Sequence, residues 1–206
     1  MPRLSFAAAS YVLGEQDPLI GRMVELHGPV KYSTPPRADK RFETLARTIV
    51  YQQLAGAAAG TIWRRVQSVL GEVSPERFLA VTADDLREAG LSRNKMASLL
   101  DLSERSVTGE IELDRLGYLN DEQVIDALVK VRGIGEWTAQ MFLMAALRRL
   151  DVWPVGDLGV RQGYALLGLA TAAPTAKELQ SLGDHWKPYR SVAAWYCWRA
   201  HDGLPR

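Results

Sequence analysis

An all-α fold is what this sequence predicts, and three observations predict it. Apolar residues recur mostly at helical spacing, and alternating strand patterns are scarce. The stretch from Leu128 to Gln140 reads as an apolar helix end, a Gly133-Ile134-Gly135 hairpin and a second helix opening at Glu136. With 206 residues, 47% hydrophobic and 24% charged, the chain has a globular balance and room for one or two domains around a sizeable core.

In chain order, the periodicity predicts helices near 3–13, 17–26, 39–69, 75–80, 82–89, 93–107, 121–131, 135–149, 159–169, 175–183 and 188–201. Pro35-Pro36 marks the loop before the third, since neither fits a helix interior. The long 39–69 segment either breaks around Gly56 or runs on through Ala57 to Ala59. Asp121 is placed to cap the helix entering the hairpin, and Thr175 the next-to-last helix. Two glycines around one apolar residue let the backbone turn sharply and approach another molecule closely. The helix that follows points N–H groups outward from its start, which suits a phosphate oxygen. Taken alone, a Gly-Ile-Gly most often just ends a helix; an acidic residue after the second helix, Asp157, strengthens the functional reading.

Composition removes several classes of protein. A single cysteine, Cys197, excludes an internal disulfide and any four-cysteine iron–sulfur or zinc site. His27, His185 and His201 lie far apart without metal-ligand spacing, so no zinc centre is expected. No apolar run reaches membrane-spanning length and the N-terminus has no charged-then-apolar signal pattern, which reads as a cytoplasmic protein without membrane partners. The net charge of +1 argues against a long electrostatic track along nucleic acid. A DNA-binding chain of this charge should grip a few phosphates with backbone groups and scattered arginines.

The loops around 108–120 and 150–158 are short, so two helical lobes folded against each other are expected. Residues 1–37 would pack with the C-terminal lobe, 38–120 would form one lobe, and 121–206 the lobe with the hairpin.

Five segments, in order, resemble the helix-hairpin-helix DNA glycosylases, specifically the 3-methyladenine DNA glycosylase II family. They are Ile49-Val-Tyr-Gln-Gln-Leu-Ala55, Gly90-Leu-Ser-Arg-Asn-Lys95, Val131-Arg-Gly-Ile-Gly-Glu-Trp-Thr-Ala139, Pro154-Val-Gly-Asp-Leu-Gly-Val160 and Trp186-Lys-Pro-Tyr-Arg-Ser191, and they span roughly residues 17–200. The resemblance implies an active-site cleft between the lobes, double-stranded DNA with alkylated bases as partner, and a monomer working in the bacterial cytoplasm at the nucleoid. It implies the compact form, because the chain lacks the length and strand patterns for the extra N-terminal β-rich domain of the bacterial prototype.

Asp157 matches the family's catalytic aspartate. Breaking a base–sugar bond builds positive charge on the deoxyribose, as in other glycosyl transfers, and a fixed anion stabilises it while orienting or deprotonating the attacking water. The bland alternative is that Asp157 caps the helix starting at Leu158, and it could do both. Lyase-active relatives such as endonuclease III carry a lysine where this chain has Trp137, so no Schiff base forms there and a monofunctional enzyme is implied.

Trp137 and Trp198 match walls of the base pocket, where aromatic faces attract cationic alkylpurines; the alternative is plain core. Met141 stands where the bacterial prototype has a tyrosine, a departure that bears on pocket shape. A desolvated cation–π contact contributes about 2 kcal/mol, roughly a 30-fold preference. That is too little to select rare lesions, so a broad enzyme relying on lesion lability is expected.

The resemblance further places a stack-filling wedge among Gln53, Gln52 and Leu54, with a polar helix face or buried amides as the alternative. It gives Gly133 and Gly135 amides to a phosphate, with Thr138, Arg161, Arg93 and Lys95 as further contacts, and Arg190 a structural role. It also places a monovalent cation, sodium or potassium, on the carbonyls of Val129, Val131 and Ile134, with no required cofactor. Two competing classes remain: a non-catalytic DNA-structure binder using the same hairpin, and a glycosylase for deaminated or oxidised bases.

Overall fold

The computed structural model describes residues 4–202, whose regular secondary structure is all helical, with no strand among the described residues. None of their helices is long and apolar enough to cross a membrane. By contact the chain divides into two units, Met1–Pro35 with Leu143–Arg206, and Pro36–Phe142.

The first unit begins with α1 (Phe6–Gln16), where the Ser5 hydroxyl accepts the Ala8 N–H. Arg3, inside the first expected helix, lies outside the described residues. Asp17 then caps α2 (Pro18–His27), taking the N–H groups of Leu19 and Ile20 at 2.8 and 3.2 Å. The same carboxylate accepts the indole N–H of buried Trp186 at 2.7 Å, which ties α2 to the C-terminal part of the unit. The remaining helices are α10 (Leu158–Leu166), α11 (Ala176–Leu182) and α12 (Arg190–His201). Thr175 caps α11 in a reciprocal box with Glu178, as expected. Trp153, Tyr164 and Trp186 meet edge to face at 5.4 and 5.8 Å to form the centre of this core. Arg190 is structural, pairing bidentately with Asp151 at 2.7 and 2.9 Å.

The second unit holds α3 (Arg41–Tyr51), α4 (Gly56–Leu70), α5 (Pro75–Ala80), α6 (Ala83–Glu88), α7 (Arg93–Val107), α8 (Asp121–Leu128) and the start of α9 (Glu136–Ala145). Its core includes Leu45, Ile49, Phe78, Leu86, Leu99, Leu102 and Leu128, each less than 2% exposed. Every such side chain contributes roughly 1.5–3 kcal/mol of burial.

One expectation left open by the sequence is decided here, and one changes. The 39–69 segment does not run on: it breaks at residues 52–55, where Gln53 adopts φ 56, and α4 restarts at Gly56. A side chain in the left-handed region is disfavoured, and long-range bonds of Gln52 to the hairpin, described below, accompany it. The cap of α8 is Asn120 rather than Asp121: its side chain accepts the Gln123 N–H at 2.8 Å while Gln123 reaches back at 3.0 Å. Asp121 is the first helical residue, where a carboxylate favours the helix dipole instead. By contact, residues 121–142, which include the hairpin, group with 36–120. The Arg132 amide bonds Asp101 of α7, and the Gly133 carbonyl bonds Gln52.

Candidate functional site

Within the second unit, α8 ends in a tight turn, with Val131 N–H to Leu128 O at 3.1 Å and Ile134 N–H to Val131 O at 3.0 Å. Gly133 occupies the turn at φ 78, and a Cβ there would also lie 2.4 Å from the Ser98 hydroxyl, so both backbone and packing require glycine. Gly135 differs: a Cβ on it would meet nothing within 4 Å. No packing inside the protein demands a glycine there. Val131 and Ile134 bury their side chains, at 1% and 3% exposure, which anchors the turn.

The amide of Gln52 donates to Gly133 O at 3.1 Å and to Thr138 Oγ1 at 3.4 Å. Gln52 is therefore a tie between loop and hairpin, whereas Gln53, Leu54 and Ala55 of the loop are exposed. Thr138 is 4% exposed, and its hydroxyl takes part in that tie. Trp137 is 47% exposed and so is not core. It lines a cavity of about 520 Å³ with Thr48, Tyr51, Gln52, Gln53, Gly133 and Thr138. Met141, one turn along α9, is half-buried and does not line this cavity.

Within the first unit, Asp157 precedes α10 with φ −75 and ψ 123, and its Oδ1 accepts the Val160 N–H at 2.8 Å. That is the cap anticipated as the bland alternative, but the same oxygen also accepts the indole N–H of Trp198 at 2.9 Å. Trp198, expected as an aromatic wall, is thus bonded to the carboxylate itself. Two glycines make this possible. A Cβ on Gly159 would sit 3.0 Å from the Trp198 ring and 3.2 Å from Asp157 Oδ1, and one on Gly163 would sit 1.9 Å from the Cys197 carbonyl oxygen. Spaced one helical turn apart, Gly159 and Gly163 let α10 lie directly on α12 and bring the two side chains together. Burial, and then the Asp157 charge, push the Cys197 thiol upward, so it remains a neutral apolar filler.

Arg161 donates its Nε to Pro174 O at 2.6 Å, which commits that side of the guanidinium to the loop before α11. Lys95 likewise turns inward, donating to Val50 O at 2.6 Å, whereas Arg93 is exposed. Sequence reasoning missed Gly159, Gly163, Ser98 and Asp101. The glycine spacing was a visible signal; the roles of Ser98 and Asp101 depend on partners about thirty residues away.

The description "HhH-GPD superfamily base excision DNA repair protein" matches this chain over residues 46–188. DNA-3-methyladenine glycosylase 1 of Schizosaccharomyces pombe is 31% identical over 182 residues, 86% of this chain and 80% of that protein. Among solved structures, a DNA-3-methyladenine glycosidase from Bacillus halodurans superposes with a TM-score of 0.83 at 33% identity, covering 98% of this chain and 93% of its own. The Schizosaccharomyces pombe 3-methyladenine DNA glycosylase in complex with abasic DNA gives 0.79 at 32%, covering 92% and 94%.

Proposed function

This chain belongs to the HhH-GPD superfamily of base excision DNA repair proteins, and we infer that it is a DNA glycosylase that binds DNA and releases alkylated purines such as 3-methyladenine and 7-methylguanine. The observation that carries the reading to a mechanism is the carboxylate of Asp157, held by two N–H donors at the start of α10.

Cleavage of the N-glycosidic bond develops positive charge on the deoxyribose as the base departs. Asp157 supplies the opposing anion and orients the water whose oxygen forms the new bond to the sugar. Because the Val160 and Trp198 N–H groups already hold Oδ1, the carboxylate needs no reorganisation as charge appears. A cationic base leaves readily, so lesion lability supplies most of the selectivity. Trp137, exposed on the cavity wall, offers a face to the electron-poor base. With tryptophan at this position no amine attacks the sugar, and the product is an intact strand with an abasic site.

The hairpin grips a phosphate through amides around Gly133 and Gly135, with Gln53 and Leu54 filling the stack that the everted nucleotide leaves. The turn's neutral carbonyl donors suit a monovalent cation better than a divalent one. The carbonyls of Val129, Val131 and Ile134 would hold it and stiffen the turn. The enzyme acts as a monomer and requires no cofactor.

The test is base release from duplex DNA methylated with dimethyl sulfate, comparing the wild type with Asp157→Asn. Free 3-methyladenine or 7-methylguanine from the wild type alone, with unnicked abasic strands, is expected. DNA binding without release of either base would leave a binding protein, and strand nicking would overturn the monofunctional assignment.

A further inference from the structure

Lys95, Ser98 and Asp101 follow one another at intervals of three along α7, on one side of the helix, and none has a task in the reaction described above. The Lys95 ammonium donates to the Val50 carbonyl in the last turn of α3, where helix carbonyls lack intrahelical partners and a cation is favoured. Two residues beyond Val50 the chain enters the loop that presents Gln53 and Leu54. At the other end, Asp101 Oδ2 accepts the Arg132 backbone N–H at 2.7 Å, immediately before Gly133. Arg105 holds both Asp101 oxygens at 3.1 Å from its Nε. Burial works against the charged form of Asp101, yet the Arg132 N–H and Arg105 together overcome it and keep the carboxyl below its usual range. Between the two, Ser98 is 5% exposed and packs directly beneath Gly133. Gln52 closes the circuit from loop to hairpin.

We propose that α7 is a gauge: Lys95 and Asp101 are positioning residues that set the spacing between the stack-filling loop tip and the phosphate-gripping hairpin. The inference rests on the glycosylase reading for what the two ends do. Its physical basis is dimensional. Successive bases of a strand are about 3.4 Å apart, so a shift of an ångström or two would carry the tip off the gap while the hairpin still held its phosphate.

The experiment uses the full chain on a duplex with a stable abasic analogue beside 2-aminopurine. Fluorescence reports unstacking, and anisotropy reports binding. Lys95→Met should keep binding but lose about 10-fold of the fluorescence rise, the scale of one lost charge-assisted hydrogen bond, with Lys95→Arg restoring it. Base release should fall correspondingly on methylated duplex but not on methylated single strands, where no stack has to be filled. Asp101→Ala, which opens the circuit from the hairpin side and leaves the end of α3 untouched, should show the same duplex-selective loss. Equal losses on duplex and single strands, or a full fluorescence rise in Lys95→Met, would overturn the gauge. If the fluorescence behaves as stated but no variant, nor the wild type, releases an alkylated base, the substrate reading fails and the gauge stands.

Discussion

Asp157 carries two roles that a single substitution can separate. Asparagine is as good an N-cap as aspartate, so Asp157→Asn should leave α10 and the thermal midpoint nearly unchanged. The same change removes the anion, and single-turnover base release should drop roughly 100-fold or more. An unchanged rate would take Asp157 out of the mechanism. Trp198 can be dissected in the same way. Phenylalanine keeps an aromatic face and removes the N–H that holds Oδ1, so Trp198→Phe should lower kcat by about 10-fold with little change in KM. A rise in KM at constant kcat would instead return Trp198 to the role of pocket wall that the sequence suggested.

At the scale of elements, the hairpin and the Asp157–Trp198 pair each depend on close backbone approach. Gly163→Ala puts a methyl 1.9 Å from the Cys197 carbonyl oxygen, closer than any contact tolerates, so α10 and α12 must part. Overpacking of this kind destabilises by about 1–3 kcal/mol, readable as a fall in thermal midpoint. Base release should fall further than stability alone explains, because Asp157 and Trp198 sit on either side of that contact. Gly133→Ala meets a different obstacle, since φ 78 and the Ser98 hydroxyl both oppose a side chain. The turn should open at a cost of roughly 1–2 kcal/mol. Anisotropy titrations over a range of salt should then show weaker DNA binding, and unchanged affinity would show that the hairpin does not grip the phosphate.

For the molecule as a whole, acid sensitivity has an identifiable source in the first unit. Burial, then the charge of Arg199, lower the pKa of His27 from its ordinary 6.5, and its Nδ1 is buried without a hydrogen-bond partner. The unfolded chain therefore binds more protons at this residue than the folded one. Its contribution is intact above the unfolded value of about 6.5 and declines as the pH falls below it. Thermal midpoints measured from pH 8 down to pH 5 should drop for the wild type and drop less for His27→Phe. Parallel curves for the two would place the sensitivity elsewhere.

Helix content and the hairpin were legible in the chain because each is a local signal. Apolar period, a Gly-Ile-Gly turn and the cap at Thr175 depend on neighbours a few residues away, and the ordered segments around Asp157 carry the family. The break at 52–55 was undecided from the sequence because Ala57 to Ala59 favour helix. The accompanying bonds of Gln52 reach 81 and 86 residues along the chain. Trp198 was visible as an aromatic residue, but an indole N–H chooses its acceptor only when α10 and α12 meet, 41 residues apart. Lys95 was read as a phosphate contact because an exposed lysine and one closing the end of another helix look alike in sequence. By itself, then, the sequence determined which helices form and which chemistry they carry, since propensity, capping and residue type act locally. Only the tertiary structure decided which polar atoms are paired inside the protein, because that depends on contacts whose partners lie tens of residues apart.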